Sequence, residues 1–336
     1  MKNINWSELG FGYFKTDYNV RCEYKDGKWG ELYATEDVNM NIHMASTCLH
    51  YGQEVFEGLK AFRGADGKVR LFRVEENAKR MINSGEYLKM AVPSVELFTK
   101  ACIEAVKLNA DYIPPYGSGA SLYLRPMLIG VGPQVGVKPS ADYLFAVFVT
   151  PVGPYYKDGF NCIKVIIDYD HDRAAPKGTG HVKVGGNYAA SLDSGEIAHQ
   201  KGFASVIFLD PATKQYIDEC SAANFFGIRD GKYITPDSHS VLPSITNKSL
   251  RQIAEDLGLK VEQRKVGVEE LPTFSEAGCC GTAAVISPIG ALGWGDKCYE
   301  INHNRIGELS QKLYDELTGI QWGTKPDPFG WTCPVC

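Results

Sequence analysis

No stretch of this chain approaches the roughly 18 consecutive apolar residues that a membrane span requires. The N-terminal run Met1-Lys2-Asn3-Ile4-Asn5-Trp6-Ser7-Glu8 has none of the apolar length of a secretory signal. Positive charge is not in excess either. The 35 Lys and Arg residues against 40 Asp and Glu leave a net charge of -5. That balance leaves no electrostatic footprint for nucleic acid or an anionic membrane surface, so neither is expected as a partner. These absences together predict a cytoplasmic protein. Internal repeats and low-complexity segments are missing as well. The 10 cysteines are irregularly spaced, in a chain long enough to dispense with a disulfide scaffold. A bridge between the adjacent Cys279 and Cys280 would be strained. Cys333-Pro334-Val335-Cys336 supplies two of the four ligands of a structural zinc, and the sequence shows no second pair. It is expected to be a frayed tail, and no metal site is expected.

A length of 336 residues favours two domains. Alternating strand formers predict a hairpin from 19–24 and 29–34 around Lys25-Asp26-Gly27-Lys28, and a second from 56–63 and 68–72 around Gly64-Ala65-Asp66-Gly67. Apolar residues at helical spacing predict a helix over 75–90. Ser94, with Glu96 in the first turn, caps another. Strands are expected at 120–130 and 143–150. The run Pro151-Val152-Gly153-Pro154-Tyr155-Tyr156-Lys157-Asp158-Gly159 breaks regular structure, which gives domains 1–150 and 161–336 joined by a loop over 151–160. Strands at 163–169, 204–209 and 225–229 follow, with helices from about 188, over 247–257 and over 306–317. Strands do not alternate regularly with helices, so an α+β arrangement is expected rather than a doubly wound sheet.

Four segments could carry chemistry. Lys177-Gly178-Thr179-Gly180-His181-Val182-Lys183-Val184-Gly185-Gly186-Asn187-Tyr188 is neither a P-loop nor a dinucleotide fingerprint. It reads as a surface loop with a solvated lysine, or as a close approach for a planar group beside a nucleophilic lysine. Ile217-Asp218-Glu219-Cys220 reads as a solvated turn, or as a carboxylate that keeps a pyridine nitrogen protonated. Leu242-Pro243-Ser244-Ile245-Thr246 opens a helix whose N-terminus suits a simple cap or a phosphate. Cys280-Gly281-Thr282-Ala283-Ala284 could present backbone N–H groups to an anion.

In order and spacing these segments resemble the branched-chain amino acid aminotransferases, fold-type IV pyridoxal-phosphate enzymes. The resemblance runs from Leu49-His50-Tyr51-Gly52-Gln53-Glu54-Val55-Phe56-Glu57-Gly58-Leu59-Lys60-Ala61-Phe62, through Ser121-Leu122-Tyr123-Leu124-Arg125-Pro126 and the lysine segment, to Phe329-Gly330-Trp331. It implies a small α/β N-terminal domain and a larger pseudo-barrel C-terminal domain, with pyridoxal 5'-phosphate at their interface. It implies reversible amino transfer between L-leucine, L-isoleucine or L-valine and 2-oxoglutarate.

The resemblance also implies roles. Lys183 is the Schiff-base lysine and moves a proton between the substrate Cα and the cofactor C4′. Glu219 pairs with the pyridinium nitrogen, Tyr188 with the phenolate oxygen, and Arg80 with the phosphate. The amides of Ile245 and Thr246, and Thr282, complete the phosphate site. Thr282, Ala283 and Tyr123 receive the substrate carboxylate. Tyr51, Phe56, Tyr155 and Tyr188 wall the side-chain pocket, and Arg125 meets the distal carboxylate of glutamate. Val137 reaches in from a partner subunit, which implies a homodimer or larger homo-oligomer.

The sequence departs from the family at Ala222, where some relatives have threonine, and at Ser244, where many have glycine. The vertebrate redox CxxC falls at Ala284 and Ser287 and is absent. D-amino-acid aminotransferases and aminodeoxychorismate lyases share the fold but lack the Phe56-to-Lys60 form of the block. A thiol-based metal or redox protein built on Cys279, Cys280, Cys333 and Cys336, or a non-catalytic phosphate binder, are the readings from other classes.

Overall fold

The computed structural model describes residues 2–155 and 159–335. Three residues of the expected inter-domain loop (156–158) and the second cysteine of the terminal CxxC, Cys336, lie outside them. The strands and helices run β1 (Asn19–Lys25), β2 (Lys28–Trp29), β3 (Tyr33–Thr35), α1 (Thr47–Tyr51), β4 (Glu54–Phe56), β5 (Leu59–Arg63), β6 (Val69–Phe72), α2 (Val74–Tyr87), α3 (Val95–Leu108), β7 (Ser121–Gly130) and β8 (Tyr143–Val152). They continue with β9 (Ile163–Asp168), α4 (Gly185–Ala189), α5 (Leu192–Gln200), β10 (Ser205–Leu209), β11 (Ile217–Cys220), β12 (Asn224–Arg229), β13 (Lys232–Pro236), α6 (Ile245–Asp256), β14 (Lys260–Arg264), β15 (Glu276–Gly281), β16 (Val285–Trp294), β17 (Lys297–Glu300), α7 (Glu308–Trp322) and β18 (Thr332–Pro334). The fold is α+β. No helix among the described residues is long and apolar enough to cross a membrane.

The chain forms two compact units. The first holds residues 1–157, 182–185 and 319–336, and the second holds 158–181 and 186–318. In the first, an antiparallel sheet runs β18-β6-β5-β7-β8-β1-β2, with β3 on β1 and β4 on β7. Its core is made by alternate residues of the strands, such as Leu122, Leu124, Phe145 and Val147, against Ala78 and Met81 of α2 and Phe98, Ala101 and Ala105 of α3. In the second unit the sheet runs β11-β10-β9-β16-β15-β12-β13-β14, with β17 on β16. Three of its pairings are parallel: β9 with β10, β9 with β16, and β13 with β14.

Three differences from the sequence expectation have identifiable causes. The single strand expected over 56–63 is interrupted at Glu57 and Gly58. Opposite the break stands Pro126, which has no N–H to give a continuous partner; the Glu57 N–H instead donates to the Pro126 carbonyl at 2.8 Å. A Cβ at Gly58 would overlap the Tyr123 phenol, so the break also makes room for that ring. Second, β8 carries through Pro151 to Val152, paired with β7. Pairing to β1 stops at Val147, so Pro151 is paired with a strand on one side only, where a missing donor is tolerated. Third, the tail is not frayed: Thr332–Pro334 pairs with Arg70–Phe72, and Val335 is buried in the first unit's core.

Candidate active site

Lys183 lies between Val182 and Val184, which are 1% and 4% exposed and belong to the core of the first unit. Both neighbours point inward, so the extended chain turns Lys183 the other way. Its backbone is fixed on both sides. The Phe56 N–H donates to the Lys183 carbonyl at 3.2 Å, and the Lys183 N–H donates to Ser84 Oγ at 3.0 Å. The Gly185 N–H donates to Glu54 Oε1. A Cβ at Gly185 would run into that carboxylate, and one at Gly180 would run into the Ser240 backbone. These two glycines therefore accommodate protein atoms. In this segment only Gly186 has open space around its missing Cβ, as the approach of a planar ligand would require.

The Lys183 ammonium stands 4.6 Å from the centroid of the Phe56 ring. The Arg125 guanidinium is 4.9 Å from the same ring and donates through Nε and Nη2 to the Tyr123 hydroxyl at 3.2 and 3.1 Å. Burial pushes the Tyr123 phenol up, and Arg125 opposes it. Phe11 packs edge-on against both Tyr123 and Tyr155, at 5.1 and 5.3 Å between centroids. Lys183, Phe56, Tyr123, Arg125 and Tyr155 thus share one set of contacts. Tyr51 and Val137 do not join it among the described residues. Tyr51 turns its hydroxyl to the Val135 carbonyl, and Val137 is 87% exposed.

Arg80, the expected phosphate arginine, projects from α2. Its Nε and Nη2 donate to the two oxygens of Glu57, each at 2.7 Å. Glu57 is fully buried and takes a third donor from Asn77 Nδ2 at 2.7 Å. The bidentate fork fixes the plane and direction of the guanidinium.

Within the second unit, Asp218 and Glu219 stand in β11 and are 4% and 3% exposed; the solvated turn is ruled out. Glu219 Oε1 accepts from Arg173 Nη2 and from the Leu242 N–H at 3.0 Å. Oε2 accepts from Asn224 Nδ2 at 3.0 Å. A carboxylate offers about four acceptor directions, so Oε2 keeps one to spare. Burial pushes the Glu219 carboxyl up, with Arg173 first among the groups that pull it back. Asn224 Oδ1 in turn accepts from Asn247 Nδ2 at 3.1 Å, and the Asn247 N–H donates to Ser244 Oγ, the N-cap of α6, at 3.1 Å. One buried chain of hydrogen bonds therefore joins Glu219 to the N-terminus of α6.

Ser244 satisfies the third amide of α6. The amides of Ile245 and Thr246 precede it and have no carbonyl four residues back within the helix. Thr282 and Ala283 are half-buried in the turn between β15 and β16. Val285 closes that turn at φ 65°, a region that a β-branched residue enters only under strain. Tyr188 is half-buried on α4. Cys279 and Cys280 are buried free thiols, and Cys279 Sγ is 2.9 Å from Cys220 Sγ.

Five residues beside these groups were given no role by the sequence reading: Phe11, Glu57, Lys60, Arg173 and Asn224. Lys60 stands directly across from Tyr123 in the β5–β7 register, and burial pushes its amine down to about 8. The odd-numbered neighbours Leu59 and Ala61 are in the core, so Lys60 is on the face that carries Phe56 and Tyr123. A lysine in the strand pattern Leu-Lys-Ala-Phe was the available signal. For Glu57 and Arg173, whose partners are distant in sequence, no local signal existed.

The turn that leads to Arg173 contains a histidine between two carboxylates. His171 Nδ1 is 2.9 Å from Asp168 and Nε2 is 3.2 Å from Asp193. The Asp168 hydrogen bond, against a burial penalty, raises the His171 ring above its ordinary 6.5, with Asp193 adding to the effect. Its stabilising charge is complete below the unfolded value and disappears as pH rises through the folded one. The thermal stability gap between wild type and His171→Gln should therefore be larger at about pH 6 than at about pH 8.5. Melting curves across that range check it, and a gap that widens as pH rises contradicts it.

Residues 54–292 match the family model for amino-transferase class IV. The branched-chain-amino-acid aminotransferase of Haemophilus influenzae is 50% identical over 100% of both chains. That of Helicobacter pylori is 49% identical over 100% of this chain and 99% of the relative. The structure of the Escherichia coli branched-chain amino acid aminotransferase aligns with TM-score 0.80 at 27% identity, over 96% of this chain and 100% of that one. That of the T.th. branched-chain amino acid aminotransferase with pyridoxamine 5'-phosphate aligns at 0.81 and 26%, over the same shares. The chain belongs to the class IV amino-transferase family, among the branched-chain-amino-acid aminotransferases.

Proposed function

We propose that this protein transfers amino groups reversibly between L-leucine, L-isoleucine or L-valine and 2-oxoglutarate, using pyridoxal 5'-phosphate joined to Lys183. The observation that carries the reading is the spare acceptor direction on the buried Glu219 carboxylate, tied by hydrogen bonds to the helix N-terminus at Ser244. A carboxylate for a ring nitrogen and amides for a phosphate are the donor and acceptor set this cofactor needs. Arg80, oriented by Glu57, adds a cation for the phosphate, and Tyr188 and Thr282 add hydroxyls.

When bound, the cofactor supplies an electron sink for the pair left on the substrate Cα. The rest falls to side chains. With the cofactor bound, Lys183 Nζ, once neutral, would take the proton from the substrate Cα and return it at C4′. Glu219 keeps the ring nitrogen protonated. The Tyr123 hydroxyl and the backbone of Thr282 and Ala283 hold the α-carboxylate. Phe56, Tyr155, Tyr51 and Tyr188 exclude water from the branched side chain, and Arg125 receives the distal carboxylate of the acceptor. We assign the enzyme to the cytoplasm as a homodimer, in which Val137 of the partner subunit completes the pocket. The exposure of Val135 and Val137 at 86% and 87% supports that assembly.

The purified enzyme should show a visible absorbance band that L-leucine bleaches and 2-oxoglutarate restores, and Lys183→Ala should lack the band. Bleaching by D-amino acids alone would assign the fold to another activity, and no band after loading with the cofactor would overturn the reading. Arg125→Met should raise the KM for 2-oxoglutarate roughly 10- to 100-fold, the worth of a charged hydrogen bond, and raise the KM for L-leucine much less, by what the Tyr123 hydroxyl loses with its two donors; equal rises would remove Arg125 from that role. Light scattering should give a mass of at least twice the 37.0 kDa of one chain, and a monomer would refute the place given to Val137.

A further inference from the structure

We infer that Arg173 is a positioning residue for the reaction: it fixes the Glu219 carboxylate and preserves its negative charge, so that Oε2 stays available to the cofactor's ring nitrogen. The inference rests on the role of Glu219 proposed above.

Arg173 is 7% exposed and Glu219 is 3% exposed. The guanidinium reaches the carboxylate through Nη2 alone. The same Nη2 donates to the carbonyls of Gly180 and Ser240 at 2.7 and 3.1 Å. Gly180 has no room for a Cβ beside the Ser240 backbone, so the two carbonyls can close on the one nitrogen. Nε, by contrast, is buried without a hydrogen-bond partner. A guanidinium with an orphaned donor is a poor choice where hydrogen bonding alone is needed, because the desolvated N–H is a standing cost. What it supplies is a fixed positive charge.

That charge has a specific use. Glu219 is out of water, and burial drives its carboxyl toward the neutral form. The other titratable groups beside it do not help. Asp218 adds a like charge, and Cys220 and Cys280 are thiols that burial pushes up. Arg173 is the cation that opposes burial. Without it Glu219 would tend to hold its own proton, and a neutral carboxyl cannot keep a ring nitrogen protonated. Because Arg173 and Leu242 both bind Oε1, the arrangement also selects which oxygen is left for the ligand.

The experiment compares holoenzymes of wild type, Arg173→Met, Arg173→Lys, Glu219→Gln and the Arg173→Met/Glu219→Gln double variant. Two readouts apart from turnover are followed: cofactor released on dialysis, and the pH midpoint of the visible band. Arg173→Met should weaken cofactor retention roughly 10- to 100-fold and move the midpoint in the direction that Glu219→Gln moves it. Arg173→Lys, which keeps the charge, should recover most of the midpoint. In the Glu219→Gln background the arginine change should add little. Equal losses with and without Glu219 would make Arg173 a structural clamp for the Gly180 and Ser240 loops and overturn the inference. So would a wild-type midpoint in Arg173→Met while Glu219→Gln is altered. If Glu219→Gln leaves both readouts unchanged, the role of Glu219 itself falls and the inference with it. Should Arg173→Met not fold, Arg173→Gln carries the same comparison.

Discussion

A carboxylate removed from water must be met by a cation and by enough donors to replace its hydration, or it will take up a proton. Two carboxylates among the described residues show it. Glu57 is fully buried against the fork of Arg80 and the amide of Asn77. Glu219 is buried against Arg173, Leu242 and Asn224. In the first pair the carboxylate fixes the direction of the arginine, as the phosphate role proposed for Arg80 needs. In the second the arginine holds one carboxylate oxygen, which leaves the other with the spare acceptor direction on which the proposed role of Glu219 rests. Removing one partner of either pair would strand a charge, an expensive outcome in a protein interior.

Around these pairs the backbone is arranged for close approach. Pro126 interrupts the strand opposite, and the interruption leaves room for the Tyr123 ring where Gly58 stands. Val182 and Val184 anchor in the core so that the residue between them faces away from it. In the second unit the route Glu219–Asn224–Asn247–Ser244 ties the strand carrying the carboxylate to the N-terminus of α6. A shift of α6 relative to β11 would break buried hydrogen bonds, so the network holds the spacing between Glu219 and the start of the helix.

Much of this was legible in the sequence, and the limits are physical. Ser94 and Ser244 announce α3 and α6, and both side chains accept the capping N–H. The glycines around Lys183 left a surface loop and a ligand approach both open, and only the family resemblance singled the lysine out; two of those glycines turn out to admit protein atoms rather than a ligand. The strands β15 and β16 left no alternating signal because both of their faces are buried. Glu57 lies 23 residues from Arg80, and Arg173 lies 46 from Glu219. No local pattern couples residues so far apart; folding alone pairs them. The C-terminal Cys333 looked like part of a loose tail because its pairing with β6 is likewise long-range.

The central claim is that Lys183, rather than the buried Lys60, forms the covalent bond to the cofactor. The direct measurement is to reduce the holoenzyme with borohydride, digest it and map the pyridoxyl group by mass spectrometry. The account predicts one modified peptide, the one containing Lys183. A pyridoxyl group on Lys60, or an unmodified Lys183 peptide from fully loaded enzyme, would contradict it.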